Sequence, residues 1–474
     1  MTLDRRAFLL SSLGAAVAND QSQARNVLFI AADDLNDDMS TFGHELVRTP
    51  NIDRLAAKGV RFDRAYCQFP LCSPSRTSLM TGLGPDATTV YDLQKHFRSV
   101  VPDVVTAPQL MQKNGGFSAR VGKIYHYGNP GQIGTDGLDD APSWNERVNP
   151  AGVDKTKEEP LLTNFTPGRG IGSAPCYYSS PAKDEEHTDG KVAAESIRIM
   201  EQHQKDRFFL GCGFYRPHVP WISPSKYFDM VPMDKLKAIP FEEWELKIAP
   251  KWAYWTTPPN FGMTEKQRLE CMRAYYAAIL FLDAQVGKVL DTVERLKLEQ
   301  NTLIVFWSDH GYQLGEHGQW FKQTVFEPAA RAPMIIAGAG VKARGKACKR
   351  TVEFVDIYPT VADMCGLRGA PANLHGKSLR PLLDNPNAAW TKPAVTQVRR
   401  GNNAKSVMGH SLRNERYRYS MWNEGAEGEE LYDYDRDPRE MKNLVTEPAM
   451  QDLKNKMKTQ LAGIIRQRGW KGKA

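Results

Sequence analysis

The chain has no CxxC pair and no zinc-type spacing, although seven cysteines are scattered along its 474 residues: Cys67, Cys72, Cys176, Cys212, Cys271, Cys348 and Cys365. That excludes the cysteine-based metal ribbons and redox motifs. A disulfide framework is not needed at this length. Some pairing stays open, and the odd count leaves at least one cysteine over. No long Lys/Arg block occurs outside the C-terminal tail, and a net charge of +7 is mild for this size. A nucleic-acid binder concentrates its basic residues, so none is expected here as partner. Internal repeats and low-complexity tracts are also absent. What is present, 41% hydrophobic and 25% charged residues, is the composition of a globular chain.

The first residues read as an address. "MTLDRRAFLLSSLGAAVA" has Arg5-Arg6, an apolar run from Ala7 and small residues ending at Ala16-Val17-Ala18. This predicts a signal peptide over 1–18, with the paired arginines pointing to twin-arginine export and an ordinary secretory signal as the alternative. The run is too short for a stable bilayer-spanning helix. The mature chain is expected to start near Asn19, exported to the periplasm or secreted, with no stable membrane insertion once the signal is removed.

Short apolar runs with the look of doubly buried strands follow: "NVLFIAADD" from Asn26, "FSARVGKIYH" from Phe117, "RFFLGCGFYRPH" from Arg207, "TLIVFWSDHG" from Thr302 and "PMIIAGAG" from Pro333. Amphipathic stretches such as 190–204 and 264–298 lie between them. The alternation predicts an α/β fold with a mostly parallel sheet flanked by helices. The segment from Pro142 to Lys191 reads as a long surface excursion. From 383 onward the pattern changes to alternating strands around Asn414-Glu415 and a last helix over 450–466, a smaller C-terminal α+β unit (383–474) beside a main unit (24–382).

Four runs end in chemically capable side chains: Asp33-Asp34, Lys123 with His126, His218, and Asp309-His310. Ligands of open α/β sheets bind beyond the carboxyl ends of strands, so these ends point to one shared site. Adjacent carboxylates closing a buried strand call for a cation, and Asp33, Asp34 and Asp309 suit a hard divalent ion, calcium before magnesium. Solvated turn aspartates are the plain alternative, and His310 fits a hard ion less well. In "CSPSR", Ser73 reads as the N-cap and Pro74 as the first helical residue, with Gly82 ending the helix. Cys72 then sits just before a helix N-terminus, where an anion is favoured, and Arg76 could point to the same spot. A nucleophile, a disulfide partner, a metal ligand and a core residue all remain open for Cys72. Lys322, in "GEHGQWFKQT", is a further candidate cation.

Cys72-Ser-Pro-Ser-Arg76, continued by "TSLMTG" and preceded by "TPNIDRLAAKGVRFDRAYC", resembles the C-x-P-x-R signature of the sulfatase family. The likeness extends over "NVLFIAADDLNDD", "GKIYH", "RPHVPW", "SDHGYQLGEHGQWFK", "EFVDIYPTVADMCGL" and "ELYDYDRDPREMKNL". Within the family it is most similar to the iduronate-2-sulfatase group, through "DDLN", "LGEHGQWFK", "MGHSLRNERYRYSMW" and Asp309-His310. The resemblance implies an alkaline-phosphatase-like fold and one calcium ion (Ca2+) on Asp33, Asp34, Asp309, His310 and residue 72. It also implies that Cys72 is converted to formylglycine (3-oxoalanine) by a formylglycine-generating enzyme.

The implied reaction is sulfate-ester hydrolysis, in which one hydroxyl of the hydrated aldehyde attacks sulfur and the second lets sulfate be expelled. Asp309 is the implied base, Arg76 and Lys123 would hold the nucleophile, His218 and Lys322 would bind sulfate and aid the leaving alcohol, and His126 would take the last proton. The implied substrate is a sulfated saccharide, a glycosaminoglycan uronate or another sulfated polysaccharide such as an algal one. The acidic loop in "MWNEGAEGEELYD" departs from this, because a substrate carboxylate calls for basic residues. The rival readings are a phosphonate or phosphate ester hydrolase of the same superfamily and an inactive sugar-binding relative.

Overall fold

The computed structural model describes residues 23–401 and 406–472. The leader read at 1–18 lies outside the described residues. Eight strands form the central sheet: β1 (Asn26–Asp33), β2 (Gly59–Phe62), β3 (Phe117–Gly122), β4 (Glu146–Val148), β5 (Phe208–Pro217), β6 (Thr302–Ser308), β7 (Met334–Gly338) and β8 (Lys346–Cys348). Their order is β8-β2-β7-β6-β1-β5-β3-β4. All pairings are parallel except β6–β7 and β7–β2. The expected parallel sheet is thus observed, with "PMIIAGAG" running against its neighbours.

β1 is buried along its whole length. Strand geometry sends alternate side chains to opposite faces. Leu28, Ile30 and Ala32 accordingly join one core, and Val27, Phe29 and Ala31 the other. The first core packs against α1 (Pro50–Ala57), α4 (Thr188–Gln202) and α5 (Glu265–Arg295), the second against α2 (Cys72–Thr81), α3 (Ala107–Lys113) and α6 (Ile357–Met364). Two such layers are what an all-apolar strand requires, since each fully buried large aliphatic or aromatic side chain contributes about 1.5–3 kcal/mol.

The C-terminal pattern resolves into an antiparallel sheet of β9 (Ala394–Arg400), β10 (Val407–Arg413), β11 (Tyr417–Trp422) and β12 (Glu429–Asp433), backed by α7 (Gln451–Gln467). The expected turn is built by Asn414, whose Oδ1 accepts the N–H groups of Arg416 and Tyr417. All seven cysteines are buried and free, so no disulfide forms. No helix among the described residues is long and apolar enough to cross a membrane.

Candidate active site

Helix α2 starts earlier than its sequence implies. Leu71, not Ser73, is the N-cap, and the Leu71 carbonyl already accepts the Ser75 N–H at 3.1 Å. Cys72 is therefore the first helical residue. Pro74 falls within the first turn, where its missing N–H costs nothing. Every residue of α2 is buried, although the helix is rich in hydroxyls. Ser78 and Thr81 return theirs to the carbonyls of Pro74 and Thr77, at 2.8 and 2.7 Å. Gly82 ends the helix with a left-handed φ of 72°, as expected.

The four strand ends do converge. Asp33 closes β1, and Asp34 follows with φ 65°, a turn that sets its carboxylate beside Cys72. Asp309 and His310 follow β6, the parallel neighbour of β1, and Asp309 Oδ1 accepts the Asp34 N–H at 3.1 Å. β3 ends at Gly122 rather than reaching His126, so Lys123 and His126 stand on the loop beyond it. His218 follows β5.

Around the Cys72 sulfur, Lys322 Nζ lies at 3.2 Å, His310 Nε2 at 3.6 Å and Asp34 Oδ1 at 3.9 Å. Lys322 also donates to Asp34. His218 Nε2 stands 3.7 Å from Asp34 Oδ2. Burial pushes the Cys72 thiol up, but Lys123 and Lys322 outweigh it, with donors from His126 and His218, and hold the thiol well below its ordinary value. His126 is shifted down by burial, and its Nδ1 is buried with no partner.

Arg76 is placed differently from the expectation that it would reach the nucleophile. It is fully buried, and all five N–H groups are directed elsewhere. Nε bonds Asp309 at 2.9 Å, Nη2 bonds Asp33 at 3.0 Å and the Ala32 carbonyl, and Nη1 bonds the carbonyls of Lys123 and Ile124. Its geometry is that of a brace tying β1, β6 and the loop after β3. Lys123 Nζ sits 2.5 Å from the second oxygen of Asp33.

Asp34, Cys72, Asp309 and His310 offer ligand atoms all within 4.8 Å of one another. His310 bonds the Gly311 carbonyl through Nδ1 at 2.9 Å, which leaves Nε2 free to face this cluster. Two carboxylates, an imidazole and residue 72 make a donor set that fits a divalent cation. Asp33 belongs to a second grouping with Asp34 and His218, and both its oxygens are engaged by Arg76 and Lys123. Four of the five expected metal ligands are thus in one cluster, with Asp33 beside it.

Sequence reasoning missed three supports. Ser308 accepts the Leu35 N–H at 2.9 Å and donates to the His310 carbonyl, while Ser75 donates to the Asp309 carbonyl. Tyr275, on α5, accepts from the Asn36 N–H and donates to the Asp34 carbonyl, both at 2.9 Å. Adjacency to Asp309 flags Ser308, whereas nothing local flags Tyr275. The acidic loop also changes meaning. Glu427 accepts from Trp252, Glu430 from Trp422 and Tyr432, Glu429 from Tyr419 and Lys458, and Glu424 from Trp470. These carboxylates are engaged within the C-terminal sheet and helix and, through Trp252, with the main unit.

A cysteine at a helix N-terminus, among cations and a divalent-ion donor set at the strand ends of a sheet covered by helices on both faces, is the arrangement of an alkaline-phosphatase-like ester hydrolase. The chain belongs to the sulfatase family, the sulfuric ester hydrolases. The sulfatase family model matches residues 25–367, and the model described as N-sulphoglucosamine sulphohydrolase, C-terminal, matches 315–467. A sulfatase of Formosa agariphila is 33% identical over 444 residues, covering 88% of this chain and 82% of that protein. The iduronate 2-sulfatase of Mus musculus is 29% identical over 496 residues, covering 88% of each.

Among solved structures, a 2-O glycosaminoglycan sulfatase aligns with TM-score 0.74 and 21% identity, over 95% of each chain. The phosphonate monoester hydrolase of Agrobacterium radiobacter aligns with TM-score 0.77 and 22% identity, over 94% of this chain and 96% of that one. At these identities they show the fold.

Proposed function

We propose that this sulfatase hydrolyses sulfate esters of a sulfated saccharide, with residue 72 as the nucleophile after conversion of Cys72 to formylglycine. The observation that carries the reading is the cluster around Cys72 Sγ: Lys322 at 3.2 Å, His310 at 3.6 Å and the Asp34 carboxylate, all at the start of a buried helix. A formylglycine hydrate supplies two hydroxyls on one carbon, so that a sulfated enzyme can release sulfate without an incoming water. Asp34, Asp309, His310 and residue 72, with Asp33 adjacent, would hold a calcium ion, which would supply Lewis-acid chemistry at the site.

The chain's own groups do the rest. Lys322 Nζ, 3.2 Å from the Cys72 sulfur, and His218 Nε2, 3.7 Å from Asp34 Oδ2, bind sulfate oxygens and offer a proton to the departing alcohol. His126, buried with a free Nδ1, stays neutral and can accept a proton from residue 72. Asp309 is the base that activates the attacking hydroxyl. Arg76 acts through Asp33 and Asp309, which it orients. Residues 24–382 form the catalytic unit and 383–474 a smaller C-terminal unit packed on it. The 29% identity to iduronate 2-sulfatase favours a glycosaminoglycan uronate as substrate, with another sulfated polysaccharide as the alternative. Export through the 1–18 leader, after modification by a formylglycine-generating enzyme, completes the proposal.

The test is a side-by-side rate comparison on 4-nitrophenyl sulfate and 4-nitrophenyl phosphate, with mass spectrometry of the tryptic peptide ending at Arg76. Sulfate preference and an aldehyde mass at residue 72 are expected. A strong phosphate preference, or an unmodified thiol in fully active enzyme, refutes the reading.

A further inference from the structure

Six arginines are buried among the described residues: Arg76, Arg120, Arg216, Arg400, Arg413 and Arg418. Five of them have carboxylate partners. Arg76 pairs with Asp33 and Asp309, Arg120 with Asp139, Arg216 with Asp154, and Arg413 and Arg418 with Glu327. Arg400 is the exception. It is 8% exposed, and among the described residues no carboxylate lies within ion-pair distance. The neighbouring stretch 402–405 reads Asn-Asn-Ala-Lys and contains no acid.

Its hydrogen bonds go to carbonyl oxygens, and its guanidinium lies over the Trp422 ring, 5.7 Å from the centroid. Nε donates to Trp252 at 3.0 Å, Nη1 to Arg399 at 3.4 Å and Nη2 to Gln323. A guanidinium carries five N–H groups, so one remains on each Nη. The desolvation of an unpaired charge costs several kcal/mol, which a well-placed counter-charge offsets. Burial alone pulls the Arg400 guanidinium down to about 9, with no acid to restore it.

The position of Arg400 is functional ground. Gln323 follows Lys322, whose Nζ touches the Cys72 sulfur, and the Gln323 N–H is fixed on the Pro70 carbonyl, two residues before Cys72. Arg400 therefore bonds the loop that carries Lys322, one residue beyond that cation. The nearby acidic side chains are already engaged, Glu427 by Trp252 and Glu430 by Trp422.

We propose that Arg400 is the recognition point for a second oxyanion of the substrate, a sugar carboxylate or an additional sulfate, next to the sulfate ester that is cleaved. This deepens the sulfatase reading and rests on it. The oxyanion supplies the missing counter-charge, and the two spare N–H groups supply its hydrogen bonds. Carboxylate and sulfate share this chemistry, and the substrates below separate them.

The experiment compares kcat and KM of wild type, Arg400→Gln and Arg400→Lys on three substrates: 4-nitrophenyl sulfate, a hexuronate 2-O-sulfate disaccharide and a hexosamine carrying two sulfate groups. Loss of a charge-assisted pair predicts a fall in kcat/KM of about 10- to 100-fold for Arg400→Gln on the doubly anionic substrate that fits, mostly through KM. On 4-nitrophenyl sulfate the loss should be at most a few-fold, and Arg400→Lys should lie between. Loss on the uronate alone assigns a carboxylate, and loss on the hexosamine alone assigns a second sulfate. Equal losses on all three substrates make Arg400 a structural clamp and overturn the proposal, as does no loss on either saccharide.

Should Arg400→Gln fail to fold, Arg400→Lys and wild-type inhibition by the two saccharides decide. Wild type that cleaves 4-nitrophenyl sulfate but is neither a catalyst for nor inhibited by either saccharide lacks the subsite. Wild type inactive on 4-nitrophenyl sulfate and on both saccharides refutes the sulfatase reading itself.

Discussion

At the scale of single residues, the centre is a balance of charge rather than a set of independent groups. Three buried carboxylates, Asp33, Asp34 and Asp309, face Arg76, Lys123 and Lys322. Of the cations, Lys322 alone is hydrogen-bonded to the Cys72 sulfur, while Arg76 and Lys123 are committed to Asp33. Lys322→Met should therefore lower kcat/KM on 4-nitrophenyl sulfate by about 100- to 1000-fold, the cost of removing one preorganised charge from a developing anion. Steady-state kinetics on purified enzyme with an unchanged circular-dichroism spectrum checks this. A loss under tenfold assigns sulfate binding to other groups.

At the scale of elements, close backbone approach aims the side chains. Lys123 donates its N–H to the Gly213 carbonyl at 2.9 Å where β3 meets β5. A Cβ on Gly213 would lie 2.3 Å from the Lys123 oxygen, and one on Gly122, whose φ is 68°, would lie 2.2 Å from the Gly213 oxygen. Both contacts are to backbone, which cannot swing aside. Gly213→Ala should push Lys123 off Asp33, reduce kcat at least about tenfold and destabilise by about 1–3 kcal/mol, the usual cost of overpacking. Activity assays with denaturant melts measure both; a fully active variant shows that the strand gap is not what places Lys123.

At the scale of the whole molecule, the C-terminal sheet and its helix are not an appendage. Glu327 is buried against Arg413 and Arg418 of β10 and β11. Glu353 takes both arms of Arg468, at 2.7 and 2.6 Å, and Lys392 at 2.5 Å, with none of its side chain exposed. Burial opposes ionisation of Glu353, but Arg468 and Lys392 overcome it and hold the carboxyl well below the usual range. A depressed carboxyl stabilises the fold above its unfolded value of about 4.3, and that stability drains away as pH falls from there. Asp356, which shares Lys392 and is pushed up by burial, offsets part of it.

Glu353→Gln should cost about 3–5 kcal/mol at neutral pH, because it leaves the mostly buried Arg468 without its carboxylate. The cost should shrink as pH drops below about 4.3. Melting curves of both proteins across pH 3–8 test the sign. The same joints predict one cooperative heat-unfolding transition for the full chain. Two resolved calorimetric peaks would show that 383–474 folds apart.

The sequence by itself determined the parallel sheet, the strand ends as the site, the cation cluster and the family. Each depends on local pattern: uninterrupted apolar runs, residues closing them, and the Cys72-to-Arg76 spacing. It placed the helix start two residues late, because which carbonyl receives the Ser75 N–H depends on how Leu71 is held. Tertiary structure alone decided the rest. Arg76 became a brace because Asp33 and Asp309, 276 residues apart in sequence, arrive at the ends of adjacent parallel strands. Tyr275 joined the site from a helix with no local mark, Glu427 and Glu429 of the acidic loop took partners as distant as Trp252 and Lys458, and Arg400 was left without a carboxylate among the described residues. Pairing is a property of three-dimensional proximity, and the chain's order does not carry it.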